Sequence, residues 1–275
     1  MRPRVWAIVW GIAAIGTWVP SAGAGTPESP DQVSTPHCRH FGPQTPRDID
    51  DSAGTNTVLF PAAPPFAQLN LCNIHFHRPA EHKAKAFSWP AADSDDVRGG
   101  FRCNVPKSDA AEETAELAGR SYCRDLQVGD TVEVHWVYTS CDVQPGPGLG
   151  SCFSSACTNP SLRVEAQVFS LVADPRALDF AAFDYAGPGP GRPQARSLPT
   201  GPGVPVQFGG STTGPSFDDR TCSPFQVTWR VRPECARLNI ASLGRWCQDN
   251  VFDEDHAHGV RKLVTHLDLL APIGH

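Results

Sequence analysis

Ten cysteines limit the folds open to this chain of 275 residues more than any other feature. All of them lie beyond residue 37, and an even number of cysteines in an exported chain indicates disulfide bonds. Full pairing gives five bridges, whose connectivity the sequence leaves open. A thiolate metal site would need close C-x-x-C pairs, yet four residues separate the nearest two cysteines, Cys152 and Cys157. We therefore expect a domain that is cross-linked by disulfides.

The N-terminal residues predict export. Arg2 and Arg4 precede an apolar run over residues 5–19, and small residues at 22–24 suit a cleavage site. We predict a signal peptide over residues 1–24, a disordered leader over 25–36 and one domain over 37–275. The apolar run is short for a membrane anchor, so we expect a periplasmic or secreted protein with no membrane contact after cleavage.

Charge argues against two classes of partner. The chain has 23 lysines and arginines against 29 aspartates and glutamates, which gives a formal net charge of -6. It contains no basic run. Neither nucleic acid nor an anionic membrane surface is therefore an expected partner.

Hydrophobic patterning predicts a mainly β, loop-rich single domain. Alternating or apolar runs indicate strands at residues 67–77, 131–139, 162–172 and 225–231. Long loops rich in proline and glycine are expected at residues 143–160 and 186–205. The clearest helical pattern covers residues 109–117, where Asp109 can cap the helix and Glu112 follows three residues later.

Three histidines lie on polar faces of two predicted strands. Residues i and i+2 of a strand point to the same side, so His75 and His77 share one face of the first strand. His135 holds the equivalent position on the second strand. The opposite faces carry Cys72, Ile74 and Phe76 on the first strand and Val132, Val134, Trp136 and Tyr138 on the second. If the strands are neighbours, three neutral imidazoles can bind one zinc ion and leave its fourth position open for water, as in catalytic sites.

Two polar residues are placed to orient these imidazoles. A metal-bound histidine normally donates its second ring N–H to an acceptor. Asn73 precedes His75 by two residues, and Glu133 precedes His135 by two residues, so each shares a strand face with its neighbour. We predict that Asn73 and Glu133 support a zinc site formed by the three histidines.

The same segments resemble carbonic anhydrases. His75-Phe76-His77, Glu81-His82 and Glu133-Val134-His135-Trp136 follow the order of the alpha-class histidine motifs. Cys72 through His82 is more similar still to delta-class and delta-like bacterial carbonic anhydrases. Residues 44–49, 208–215 and 227–231 are similar to further alpha-class stretches, in the same order.

The resemblance covers roughly residues 38–235. It implies a single domain around a large twisted, mostly antiparallel sheet with few short helices. It also implies that Zn2+ is the cofactor, carbon dioxide and bicarbonate are the small-molecule substrates, and a zinc-bound hydroxide carries out the reversible hydration. In the family a threonine and a buried glutamate orient that hydroxide. Glu81 matches the glutamate, and Thr212 is the first choice for the threonine, before Thr213 and Thr221, because the loop departs from the alpha pattern here.

Two other functions stay open on sequence alone. His75, His77 and Glu81 have the spacing of a cupin metal motif, which would make Glu81 a fourth ligand beside His135 and allow a redox metal. An exported, disulfide-rich β domain could also bind zinc without catalysis. These alternatives differ in whether Glu81 binds the metal.

The other histidines have weaker predicted roles. His37, His40 and His82 are candidate proton carriers, because rapid hydration needs a proton path to solvent. We expect His256-Ala257-His258, a second His-x-His pattern in an acidic stretch, to lie in an exposed loop.

Overall fold

The computed structural model describes residues 38, 40–91, 99–106, 123–212, 221–261 and 263–273. They fall in a unit that runs from Ser34 to His275. The predicted signal peptide (1–24), leader (25–36) and helix (109–117) lie outside the described residues, so these three segments and the domain bounds stay predictions. In the described part of the chain, no helix has the length and apolarity needed to cross a membrane.

A six-stranded sheet forms the centre of the fold. The described residues form eight strands in all, of which six belong to this sheet. The eight are β1 (Asn70–His77), β2 (Trp89–Pro90), β3 (Phe101–Arg102), β4 (Thr131–Thr139), β5 (Leu162–Val172), β6 (Val206–Ser211), β7 (Gln226–Val231) and β8 (Ala236–Asn239). The main sheet has the order β1-β4-β5-β7-β6, with β8 also paired to β5, while β2 and β3 form a separate pair. Three pairings are antiparallel, and β5 runs parallel to both β7 and β8. The predicted mainly β, mostly antiparallel fold is therefore confirmed.

Helical structure is scarce in the described residues. One α-helix, α1 (Ile240–Gln248), follows β8 directly, and short 3-10 helices lie at Phe66–Gln68, Leu149–Cys152, Phe180–Ala182 and Leu267–Leu269. The Asn239 side chain accepts a hydrogen bond from the Ser242 N–H at 2.9 Å, which satisfies a free amide of the first turn of α1. The inner face of α1 packs on the sheet through Leu243 and Trp246.

The four predicted strands all form. β4 and β5 have the predicted bounds, whereas β7 begins one residue later than expected. β1 begins at Asn70 because the residues just before it form a 3-10 helix. The long β5 pairs with β7 through its first half and with β8 through its second half, which accounts for its length.

Both faces of β1, β4 and β5 are buried. Ile74 and Phe76 pack with α1 in one cluster, together with four apolar residues of β4: Val132, Val134, Trp136 and Tyr138. The histidine face is covered by a second cluster that includes Val137 and Trp229. The prediction that Cys72 shares a face with Ile74 and Phe76 is wrong, since Cys72 belongs to the second cluster. A register shift between Leu71 and Asn73 interrupts the alternation there, as a β-bulge does.

All ten cysteines are paired, which confirms the expectation of five disulfides. The bridges are Cys38–Cys222, Cys72–Cys152, Cys103–Cys235, Cys123–Cys247 and Cys141–Cys157. The second bridge ties β1 to the proline-rich loop after β4. The fourth ties α1 to the segment before β4. Only the last joins residues close in sequence, with a separation of 16.

The disulfides should differ in their contributions to stability. Cys123 and Cys247 are 124 residues apart, so their bridge removes more entropy from the unfolded chain than the Cys141–Cys157 bridge does. Replacing both cysteines of the long bridge with alanine should lower the free energy of unfolding by about 1–2 kcal/mol more than the same change in the short bridge. Urea denaturation under oxidising conditions measures both values. A larger loss for the short bridge would contradict this expectation.

Candidate metal centre

The pairing of β1 with β4 brings the three predicted histidines together. His75 lies directly opposite His135, and His77 lies opposite Glu133. Directly opposed residues of an antiparallel pair project from the same face with their Cβ atoms about 5 Å apart. The ring centroids are 5.0 Å apart for His75 and His135, 5.1 Å for His75 and His77, and 4.9 Å for His77 and His135. One nitrogen of each ring lies within 4.8 Å of the others, so the cluster could hold a metal ion.

In each ring, the nitrogen that faces away from the other two histidines, here called the outer nitrogen, lies within hydrogen-bond distance of an acceptor. His75 Nδ1 lies 2.6 Å from Asn73 Oδ1, and His135 Nε2 lies 2.8 Å from Glu133 Oε1. His77 Nδ1 lies 3.0 Å from the carbonyl oxygen of Gly259. Asn73 Nδ2 donates to the Gly146 carbonyl at 3.1 Å, which fixes the amide with its oxygen toward His75. Each ring therefore carries its proton on the outer nitrogen, and each inner nitrogen presents a lone pair.

The inner nitrogens fit a tetrahedral zinc ion. His75 Nε2 and His135 Nδ1 are 3.3 Å apart. Zinc–nitrogen bonds of about 2.0–2.1 Å at tetrahedral angles place two ligand nitrogens about 3.3–3.4 Å apart. Two facing lone pairs at this distance repel each other unless a cation lies between them. The buried Nε2 of His77 also has no hydrogen-bond partner among the described residues. The donor set therefore fits zinc.

Burial keeps the three imidazoles neutral. It lowers the pKa of His75 well below the usual value, lowers that of His135, and brings that of His77 to about 3. The mutual repulsion of the rings lowers the pKa of His75 further. Because a metal ion binds only the neutral imidazole, these shifts favour metal binding down to acidic pH.

Glu133 is held by four donors. Besides His135, it accepts from His82 Nδ1 at 2.6 Å and from the backbone N–H groups of Glu81 and His82 at 2.8 and 3.0 Å. Burial alone would raise its pKa, but the interactions with His82 and His135 hold the pKa well below its usual range. Glu133 thus stays ionised and is held in place beside His135 at the candidate metal centre.

His82 supports the site from inside the protein. Its side chain is fully buried, and its ring packs on Trp229 and Phe208 at 5.1 and 6.0 Å between centroids. The suggestion that His82 carries protons to solvent is therefore wrong. His40 is exposed, and His37 lies outside the described residues.

Glu81 is bound by Arg261, a residue that was not predicted from the sequence to belong to the site. The Nε atom of Arg261 lies 2.8 Å from Oε1 and its Nη2 atom 2.6 Å from Oε2. Although burial raises the pKa of this carboxyl group, the charge of Arg261 outweighs it and the pKa is about 2. Oε1 also lies 3.3 Å from Nδ1 of His77, on the outer side of that ring.

Thr212 is buried at the end of β6, and its backbone N–H donates to the Phe225 carbonyl at 3.1 Å. Within the described ranges, no hydrogen bond joins Thr212 to Glu81. Thr212 and Thr221 lie within those ranges, whereas Thr213 lies outside them. The choice among the three threonines therefore stays a prediction.

Two stretches that carried the weaker part of the resemblance contact each other. The Gln44 Oε1 atom accepts from Ser211 Oγ at 3.0 Å and from the Ser223 N–H at 2.9 Å. Thr45 Oγ1 donates to the Ser211 carbonyl and accepts from the Ser211 N–H. These buried bonds fix the end of β6, where Thr212 follows.

The segment after residue 253 also reaches the centre, a contact that was not predicted from the sequence. His258 pairs with the backbone of β1 on either side of His77, donating to the Phe76 carbonyl at 2.8 Å and accepting from the Arg78 N–H at 2.9 Å. Its ring lies 5.6 Å from the rings of both His75 and His77. The second His-x-His pattern was the signal in the sequence that could have pointed to this contact. It did not suffice, because His258 pairs with a strand that lies about 180 residues earlier in the chain.

His258 connects the histidine cluster to the surface. The side chains of His256 and His258 are 50% and 46% exposed, which confirms the expected exposed loop. The Nε2 atom of His258 lies 2.8 Å from Oε2 of the buried Glu254. This hydrogen bond raises the pKa of His258.

Comparison with known proteins agrees with these observations. A family model described as delta carbonic anhydrase matches residues 66–242, a range that includes the three histidines. No curated protein matches this chain.

Two solved structures are similar at low identity. An alpha-carbonic anhydrase from Photobacterium profundum is 16% identical, with a TM-score of 0.33 over 84% of this chain and 93% of that chain. An alpha-carbonic anhydrase from Thermovibrio ammonificans, solved in complex with the inhibitor sulfanilamide, is 15% identical, with a TM-score of 0.32 over 83% of this chain and 89% of that chain. The family match is the finding on which the function depends.

The Glu133 carboxylate should control metal affinity. Replacing Glu133 with glutamine keeps its shape but removes the charge that orients His135, so zinc affinity should fall about 10–100-fold. Competition with a chromophoric chelator measures the dissociation constant. Asp174→Asn is the matched control, because Asp174 binds two arginines, Arg176 and Arg237, and none of the three histidines. Equal affinities of Glu133→Gln and the wild type would contradict the role of Glu133.

Proposed function

The chain belongs to the delta carbonic anhydrase family and is a carbonic anhydrase, and we propose that it hydrates carbon dioxide with a zinc ion bound by His75, His77 and His135. The 3.3 Å contact between His75 Nε2 and His135 Nδ1 supports this proposal most directly. Two lone pairs face each other there, and a cation removes their repulsion.

A zinc ion held by the three neutral imidazoles would lower the pKa of water at the site to about 7 and so would supply hydroxide at neutral pH. The protein's residues orient the ligands for this chemistry. Asn73 holds His75, the Gly259 carbonyl holds His77, and Glu133 holds His135. Because each outer nitrogen keeps its proton, each inner nitrogen stays free for the metal. The role of Thr212 in orienting the nucleophile is carried over from the family resemblance alone.

Hydration releases a proton that must leave a mostly buried site. His258 is suited to carry it, because its ring lies beside His75 and His77 and its side chain reaches solvent. Glu254 accepts a hydrogen bond from His258 Nε2 and stabilises the imidazolium form. We therefore assign to His258 the transfer of protons between the centre and the buffer.

The cupin alternative is not favoured. Among the described residues, the candidate group of metal ligands that contains His75 and His77 also contains His135 but not Glu81. Arg261 binds both oxygens of Glu81, which lies beside the outer nitrogen of His77. A purely zinc-binding role is not favoured either, since the family is one of enzymes.

Export remains part of the proposal. Five disulfides are typical of proteins that fold in an oxidising compartment. They support a periplasmic or extracellular location after cleavage of the predicted signal peptide.

Zinc binding and carbon dioxide hydration should be lost together in His135→Ala. This variant removes one of three ligands, so the purified protein should hold less than a tenth of the wild-type zinc and have a correspondingly low hydration rate. Metal analysis and stopped-flow hydration with a pH indicator measure the two quantities. His40→Asn is the control, because His40 is exposed and has a positive φ that asparagine tolerates. A wild type without metal, or full activity in His135→Ala, would refute the proposal.

His258→Ala should slow turnover without loss of zinc. In weakly buffered solution we expect kcat to fall about 10-fold or more, with kcat/KM nearly unchanged, because proton transfer follows the hydration step. Added imidazole should restore much of the rate. His40→Asn tests the other exposed candidate and should keep the wild-type kcat. An unchanged kcat in His258→Ala, or a loss that imidazole does not restore, would remove His258 from this role.

A further inference from the structure

We propose that Arg261 is a positioning residue of the metal centre, which fixes the carboxylate of Glu81 beside His77 and thereby holds that imidazole in its metal-binding orientation. This inference depends on the proposed zinc site. It concerns a residue beyond the range of the family match, which ends at residue 242.

Arg261 immobilises the Glu81 carboxylate with three donors. Its backbone N–H and its Nε atom each lie 2.8 Å from Oε1, while its Nη2 atom lies 2.6 Å from Oε2. A bidentate arginine–carboxylate pair fixes the plane of the carboxylate. The hydrogen bond from the Arg261 backbone N–H also fixes the position of the carboxylate relative to the main chain around Arg261. A lysine could keep the charge but not this geometry.

The fixed carboxylate acts on His77. Its Oε1 atom lies 3.3 Å from His77 Nδ1, the nitrogen that also donates to the Gly259 carbonyl at 3.0 Å. Gly259 and Arg261 are two residues apart, so one short segment supplies the hydrogen-bond acceptor of His77 and also positions the carboxylate that lies beside that ring. The same segment is fastened to β1 through the backbone of His258. The outer nitrogen of His77 is therefore surrounded by groups that hold its proton there.

The arrangement repeats the support of His135 by different means. Glu133 accepts from His135 and is itself held by His82 and two backbone N–H groups. Glu81 lies beside His77 and is itself held by Arg261. Both carboxylates are completely buried. An isolated buried carboxylate is strongly unfavourable, so each needs its own fixed partner.

The test compares zinc affinity in Arg261→Met, Arg261→Lys, Glu81→Gln and the double variant Glu81→Gln/Arg261→Met. Affinity is measured by chelator competition on folded metal-free protein, with the melting temperature recorded in parallel. Arg261→Met should weaken zinc binding about 10–100-fold, as loss of outer support of a ligand does. Arg261→Lys should recover only part of this loss. The double variant should bind no more weakly than either single variant, because Arg261 acts through Glu81.

Arg232→Met is the matched control. Arg232 is also a buried arginine, and its Nη2 atom lies 3.6 Å from the buried carboxylate of Glu165, a pair that touches none of the three histidines. Its loss should lower the melting temperature and leave zinc affinity unchanged. If Arg261→Met does not fold, Arg261→Lys and the double variant, which leaves no unpaired carboxylate, still provide the comparison.

The outcomes separate this inference from the proposed function. Wild-type zinc affinity in folded Arg261→Met or Arg261→Lys would overturn the inference while leaving the zinc enzyme intact. Additive losses in the double variant would also overturn it, since Arg261 would then act independently of Glu81. A wild type that binds no zinc would instead refute the proposed function itself.

Discussion

The antiparallel register of β1 and β4 is the constraint on which the candidate centre depends. It places His75 opposite His135 and His77 opposite Glu133. A shift of one residue would turn every side chain of one strand to the other face and send Ile74 and Phe76 away from the apolar core. The packing of that core therefore fixes the register, and the register fixes the histidine cluster. In this way the hydrophobic face of the sheet determines the geometry of its polar face.

The local part of this arrangement could be predicted from sequence. Strand alternation is a short-range property, so the histidine pairs, the neighbouring Asn73 and Glu133, and the bounds of β4 and β5 follow from residues close in the chain. Cys72 lies on the face opposite to the predicted one, because a bulge depends on how two strands pair and alternation alone does not reveal it. Disulfide connectivity was inaccessible for the same reason.

The remaining parts of the site arise from long-range contacts. Arg261 meets Glu81 across 180 residues, and the Gly259 carbonyl meets His77 across 182. A carbonyl acceptor has no signature in sequence, and an arginine followed directly by a lysine resembles many surface arginines. His258 could be noticed as part of a second His-x-His pattern, but only the pairing of its backbone with β1 shows that it belongs beside the first.

The Cys72–Cys152 bridge lies one residue from Asn73, and it fastens β1 to the loop that carries Gly146. That carbonyl orients the Asn73 amide, and the amide in turn orients His75. Formation of this disulfide therefore stabilises the arrangement of β1, the loop and Asn73 in which His75 is oriented toward the other two histidines. It follows that reduction of this bridge should loosen the support of His75, although neither cysteine contacts that ring.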